Sequence, residues 1–126
     1  MKLWRFSENG LLSFKGEKLI HQQSFKDFMG EKHFMKFINI VLKNLALIEI
    51  PKKRGTFIEY RAGMINVSPI GRSCSKEERN EFEDYDKKHK IRENLIKKIK
   101  KDWNNYCYYD EDSFPGLNKI RFSIGG

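Results

Sequence analysis

Residues 57–69 constrain the fold more than any other segment, because their alternation of apolar and polar side chains fits one hairpin register. A turn at Ala62-Gly63 places Arg61 opposite Met64. The pairs that follow outward from the turn are Tyr60 with Ile65, Glu59 with Asn66, and Ile58 with Val67. A slip of one residue would exchange the two faces and bury Glu59, so the register is strongly constrained. The hairpin therefore predicts a sheet with an apolar face for helices and an open polar face that carries Arg61.

Two regions with helical periodicity supply cover for the apolar face. The first starts after Ser24 or Gly30 and ends near Ala46, and its apolar positions recur every three or four residues. Those positions are Phe34, Phe37, Ile38, Val41 and Leu45. The second region opens at Ser75, which with Glu78 has the spacing of a capping box. Whether it is one helix or two beyond residue 86 stays open, and its inward positions are Phe82, Tyr85, Ile91, Leu95, Ile99 and Trp103.

Three further segments complete the predicted order of elements. Residues 10–24 are predicted to form another hairpin, and residues 119–124 a final strand. Residues 104–118 are rich in Asn, Tyr, Asp and Glu, and we interpret them as a surface loop insertion. The whole chain, residues 1–126, is then a single α+β domain: an antiparallel β-sheet covered on one face by helices.

Composition restricts the class of protein and its partners. No apolar run approaches the length of a membrane span, and the first residues lack the build of a signal peptide, so the sequence predicts a cytoplasmic protein that does not enter a membrane. Cys74 and Cys107 are predicted to be free thiols. The net charge is +8, and residues 86–102 hold seven lysines and one arginine against three acids. Such a basic helix fits a nucleic acid, a phosphate-bearing substrate or an ordinary solvated face.

Arg61, Arg72 and Arg79 are the candidate binding residues, because they stand at a turn and at the ends of regular elements. The planar guanidinium grips phosphate oxygens through paired charge-assisted hydrogen bonds. Free amides at the start of the helix after Ser75 add to the attraction for an anion. Surface salt bridges are the ordinary alternative for three arginines with this loose spacing.

No catalytic or metal-binding constellation accompanies these arginines. His21, His33 and His89 fall on separate elements without ligand spacing, so no metal site is predicted. A nucleophile with its base and a glycine-rich phosphate loop are also missing from the sequence. The sequence thus predicts no catalytic residue and no cofactor in this chain.

The run from residue 51 to residue 79 resembles the cap domain of eukaryotic phosphomannomutases, in the haloacid dehalogenase superfamily, almost residue for residue. The resemblance covers roughly residues 6–103 and resumes at Phe122-Ser123-Ile124-Gly125-Gly126. Glu8-Asn9-Gly10 looks like the hinge where the family's chain leaves its catalytic core. By resemblance the chain is a substrate-specificity cap, whose Arg61, Arg72 and Arg79 hold the distal phosphate of the substrate.

The resemblance also implies an activity and partners for the full enzyme. That enzyme is an isomerase, which interconverts mannose 6-phosphate and mannose 1-phosphate through a bisphosphate activator and supplies GDP-mannose for glycosylation. It dimerises through its caps, with residues 51–57 near the interface, and it uses Mg²⁺ held by its core. The predicted partners are therefore hexose phosphates and a second copy of the chain, with no nucleic acid and no membrane.

Departures from the family lead to the expectation of an inactive fragment. The Asp-x-Asp-Gly-Thr nucleophile and the Mg²⁺ ligands of the core are absent, and residues 1–5 do not match the family. Residues 104–118 also form a longer loop than the family usually has. The isolated chain is predicted to bind sugar phosphates weakly and to catalyse nothing. A basic nucleic-acid-binding module and a non-catalytic oligomerising remnant are the alternatives.

Overall fold

The computed structural model describes residues 2–6, 25–61 and 64–125, with the side chains of residues 26–60 and 64–125. Within these ranges a four-stranded antiparallel sheet has the order β2-β3-β1-β4. Its strands are β1 (Lys2–Phe6), β2 (Ile58–Arg61), β3 (Met64–Val67) and β4 (Ile120–Ser123). The helices are α1 (Phe25–Met29), α2 (Glu31–Leu47), α3 (Lys76–His89) and α4 (Ile91–Tyr109). The predicted α+β class is confirmed.

The predicted register of the β2–β3 hairpin is confirmed at all four residue pairs. Ile65 and Val67 on β3 are 0% and 1% exposed, so the apolar face does lie against the core. Tyr60 is more exposed, at 42%, because β2 is an edge strand of this sheet. The ring of Tyr60 still contacts Phe34, with 5.0 Å between ring centroids. The apolar face of the hairpin is thus packed against the core, and Glu59 and Asn66 lie on the other face.

Helices α2 and α4 fill the space above the sheet. One aromatic contact between them joins Phe37 and Trp103, whose rings meet edge to face with 5.0 Å between centroids. The buried core comprises Met29, Phe37, Val41, Leu45, Ile65, Val67, Leu95, Ile99, Trp103 and Leu117. Most of the predicted inward positions of α2 and α4 belong to this set. The helical periodicity of the sequence therefore indicated correctly which faces of the two helices are buried.

The break between α3 and α4 answers the question that the sequence left open. Lys90 adopts the left-handed conformation (φ 52°, ψ 47°) and ends α3 before α4 begins at Ile91. The region after Ser75 is therefore two helices, since a left-handed residue cannot continue a right-handed helix.

Strand β1 was not predicted, and it occupies the centre of the sheet between β3 and β4. Both strands that pair with it in the described sheet lie far along the chain, so no local pattern could reveal it. The hairpin predicted over residues 10–24 lies outside the described residues. The final strand was predicted within one residue of its observed bounds.

The prediction of a loop over residues 104–118 is wrong for its first part, because α4 continues to Tyr109. Polar composition favoured a loop, but Tyr106 and Cys107 follow Trp103 at helical spacing and pack against the core. Burial raises the pKa of the Cys107 thiol to about 12, and both cysteines are free. The turns beyond the helix are held by Leu117, whose carbonyl accepts a 3.3 Å hydrogen bond from the Trp103 indole.

The helices in the described ranges are all too short or too polar to cross a membrane.

Candidate functional site

An open cleft of about 670 Å³ lies beside the polar face of the hairpin and the start of α3. We call it the arginine cleft, after the cations that line it. These are Arg72, Lys76, Arg79 and Arg92, with Glu59 and Glu83 as the lining acids. The structure therefore brings two of the three predicted arginines, Arg72 and Arg79, to one cavity. Arg61 is placed by its backbone only, at the end of β2 opposite Met64.

Arg72 is positioned by an extension of the hairpin beyond its two strands. Residues 54–57 run alongside residues 68–73, and the backbone amide of Arg72 donates a 2.9 Å hydrogen bond to the Thr56 carbonyl. The Ser73 amide donates to the Gly55 carbonyl at 3.2 Å, and the hydroxyls of Thr56 and Ser73 are 2.9 Å apart. We call these paired segments the Gly55–Gly71 clamp, because the backbone of Gly55 fills the space that a side chain at position 71 would need.

Glycine is required at position 71 for two reasons. Its φ of +96° is a backbone conformation that side chains disfavour, and a Cβ there would lie 2.1 Å from the Gly55 carbonyl oxygen. Opposite it, Thr56 has φ 58°, an uncommon conformation for a β-branched residue. The direction in which Arg72 leaves the hairpin thus has a physical basis in this close contact, which sequence spacing alone does not reveal.

The side chain of Arg72 reaches back to the hairpin. Its Nη1 lies 2.6 Å from Oε1 of Glu59 on β2, and the two side chains are 54% and 29% exposed. This ion pair places the Arg72 guanidinium over the polar face of the sheet. A pair this exposed contributes little to stability by itself.

Arg79 projects from the first turn of α3, as the capping box predicts. The Ser75 hydroxyl accepts from the Glu78 amide at 3.1 Å, and the Glu78 carboxylate accepts from the Ser75 amide at 2.9 Å. The Ser75 amide and the Arg54 guanidinium, 2.7 Å from Glu78, hold the pKa of that carboxyl below its usual value. Arg79 is exposed and makes no ion pair with the described part of the chain. Its guanidinium is therefore open to a ligand.

Arg92 was missed by the sequence analysis, and it is a structural residue at the rim of the arginine cleft. Its Nε donates to Oδ2 of Asp86 at 2.9 Å, its amide donates to Oδ1 at 2.8 Å, and its Nη1 donates to the Gly125 carbonyl at 2.8 Å. The two charged side chains are only 20% and 12% exposed. Because the pair spans the break at Lys90, its spacing of six residues carries no helical signal.

The described residues do not fit a metal centre. No group of three His, Cys, Asp or Glu side chains in those ranges could share a metal ion. His33 instead lies 2.7 Å from the Tyr106 hydroxyl through Nδ1, and Nε2 donates to the Asp112 carbonyl at 3.1 Å. His89 stacks against Tyr85 with 4.3 Å between ring centroids. The Mg²⁺ expected of the family is therefore assigned to none of these residues.

Comparison with known proteins gives one consistent result. The sequence model of the family described as eukaryotic phosphomannomutase matches residues 3–126. Phosphomannomutases of Nicotiana benthamiana and Glycine max are both 51% identical over 96% of this chain, and phosphomannomutase 1 of Dictyostelium discoideum is 50% identical over the same share. The chain spans 43–44% of the length of these relatives. The expectation that residues 1–5 depart from the family is wrong for residues 3–5, which lie inside the match.

Substitution of Gly71 by Ala is expected to destabilise the chain by about 2–4 kcal/mol, because the new Cβ adds overlap with Gly55 to the strain of positive φ. Gly116→Ala is the matched control: its φ is +92° and nothing lies within 4 Å of the added Cβ. It should cost only about 1 kcal/mol. Urea unfolding followed by circular dichroism measures both values. Equal losses for the two variants would contradict a steric role for the contact.

Arg92→Leu is expected to cost about 2–4 kcal/mol of unfolding free energy, because it leaves the mostly buried carboxylate of Asp86 without its charged partner. Arg121→Leu, at an exposed position of β4, is the control and should change stability by less than about 0.5 kcal/mol. Thermal and urea unfolding report the difference. If Arg92→Leu left the unfolding free energy unchanged, the ion pair of Arg92 with Asp86 would not be what holds α3, α4 and Gly125 together.

Proposed function

Because this chain belongs to the eukaryotic phosphomannomutase family, we propose that it is the substrate-specificity cap of such an enzyme. Its arginine cleft holds the distal phosphate of a hexose phosphate. The observation that carries the proposal is that Arg72 and Arg79 line the same cavity. The guanidinium of Arg79 is exposed and makes no ion pair with a described residue. Arg61 is the third proposed phosphate ligand.

The electrostatics of the cleft support an anionic ligand. Four cations line it against two carboxylates, and one of the four, Arg92, is already neutralised by Asp86. The remaining excess of positive charge lies beside the start of α3, where backbone amides and the helix dipole favour an anion. The volume of about 670 Å³ is in the range of small-molecule sites and exceeds what a phosphate group alone requires.

The proposed reaction of the whole enzyme is the interconversion of mannose 6-phosphate and mannose 1-phosphate, which supplies GDP-mannose for glycosylation in the cytoplasm. In this reaction Mg²⁺ would stabilise the negative charge of the transferred phosphoryl group. This chain's part is to bind and orient: the arginines fix one phosphate of the sugar, so the opposite end of the substrate is presented outside the cleft. The fragment itself is proposed to be catalytically inert.

A second copy of the chain is the proposed protein partner. Strand β2 forms one edge of the described sheet, and a sheet edge presents unpaired backbone groups. Exposed apolar side chains occur on β2 and on α2, at Tyr60 (42% exposed), Leu42 (47%) and Leu47 (60%). Phe57, just before β2, is partly buried against the core. These features are compatible with a homodimer through the cap. Neither a nucleic acid nor a membrane is proposed as a partner.

Binding is tested by NMR titration of the isotope-labelled 126-residue chain with mannose 1-phosphate. Arg79→Ala and Arg72→Ala should each weaken binding about 10- to 100-fold, since each charge-assisted hydrogen bond contributes about 1.5–3 kcal/mol. Arg121→Ala is the control for the loss of one positive charge, and mannose without phosphate is the control for the ligand. Shift changes that are unaffected by Arg72→Ala would contradict the proposed site. Binding of an RNA oligonucleotide with steep salt dependence, in place of the sugar phosphate, would favour the nucleic-acid alternative.

Inertness is tested by an activity assay of the same chain with mannose 1-phosphate, Mg²⁺ and a hexose bisphosphate activator. No turnover above the buffer background is expected, because phosphoryl transfer needs a nucleophile or a positioned acceptor. A full-length family member serves as the positive control. Turnover by the purified chain would overturn the proposal that it only holds substrate.

A further inference from the structure

The arginine that is proposed to hold phosphate is already engaged by an acid of the same cleft. Nη1 of Arg72 lies 2.6 Å from Oε1 of Glu59, and both residues line the cavity. Glu83 also lines the cavity but makes no ion pair with the residues that the structure describes. The two acids of the cleft therefore differ in that, among the described residues, Glu59 is paired with a cation and Glu83 is not, and this difference can be tested.

We propose that Glu59 is a positioning residue, which holds Arg72 over the polar face in the absence of a ligand and competes with an incoming anion for its guanidinium. The inference rests on the proposed function, and it adds to it a residue that sets how tightly the cleft binds an anion. Glu59 acts through Arg72, so its role is distinct from that of the phosphate ligands.

The placement of the two residues supports an exchange of partners. Glu59 is anchored in β2 by its register with Asn66, and the backbone of Arg72 is anchored by the Gly55–Gly71 clamp. Both backbones are thus held while their side chains, 29% and 54% exposed, remain able to move. A phosphate that approaches Arg72 can replace the carboxylate without any change in the fold.

Charge decides which ligands succeed in that exchange. A carboxylate or chloride ion has the same charge as Glu59 and must compete with a group that is tethered beside Arg72, so it gains little. A phosphate monoester carries a charge of about −1.5 to −2 near neutral pH and offers three acceptor oxygens to the guanidinium. Because every anion that binds Arg72 must displace the same tethered carboxylate, Glu59 lowers the affinity of the cleft for all of them by a similar factor.

The test compares Glu59→Gln with Glu83→Gln in the 126-residue chain, by NMR titration with inorganic phosphate and, separately, with acetate. Glu59→Gln should raise phosphate and acetate affinity by a similar factor, about threefold to fivefold, in the range expected for an exposed ion pair. Glu83→Gln removes the same charge from the same cleft and should change both affinities by less than about twofold. Glu59→Asp retains the charge and should leave both affinities closer to the wild-type values than Glu59→Gln does.

A readout without ligand identifies the pair itself. The Nε–Hε signal of Arg72 should shift in Glu59→Gln and stay in place in Glu83→Gln. Equal effects of the two Gln variants, or weaker phosphate binding by Glu59→Gln, would overturn the inference while the proposed phosphate site stands. Absence of phosphate binding by the wild-type chain and by both Gln variants would instead refute the site, and the inference with it.

Discussion

The Gly55–Gly71 clamp is the contact on which the candidate site depends. It continues the β2–β3 hairpin past its strands, and it brings two backbone segments so close that position 71 has no room for a side chain. Arg72 leaves the clamp on one side, and α3 starts a few residues later with its capping box. The hairpin register and the start of the helix are thereby linked through a hydrogen-bonded connection. Arg72 and Arg79 can face one cavity because this connection leaves little freedom between them.

The cations of the cleft are in three different electrostatic states. Arg92 is neutralised by Asp86 in a mostly buried pair, where removal of one partner is costly. Arg72 is held by Glu59 in an exposed pair that a stronger anion can replace. Arg79 faces the cavity with no ion pair among the described residues. Burial thus separates a structural arginine from two arginines that are available to a ligand, although all three side chains have the same chemistry.

Prediction from sequence succeeded where a local period carried the information. The hairpin register followed from alternation over a few residues, and the capping box from the spacing of Ser75 and Glu78. It failed where partners are distant or composition misled. Strand β1 pairs with strands far along the chain, and the end of α4 is rich in polar residues although Tyr106 and Cys107 pack on the core. Pairing between distant segments depends on the whole fold, so no short window contains it.

By itself, the sequence determined the elements that local periodicity and capping specify, together with the identity of the arginines at their ends. It also determined the family, through the residues of the densest match. Only the tertiary structure decided which of those arginines share a cavity, and which acid each one meets. The reason is that a guanidinium finds its partner through space: Glu59 and Arg72 are brought together by a hairpin and a clamp, and Asp86 and Arg92 by a helix break. Sequence spacing does not contain those distances.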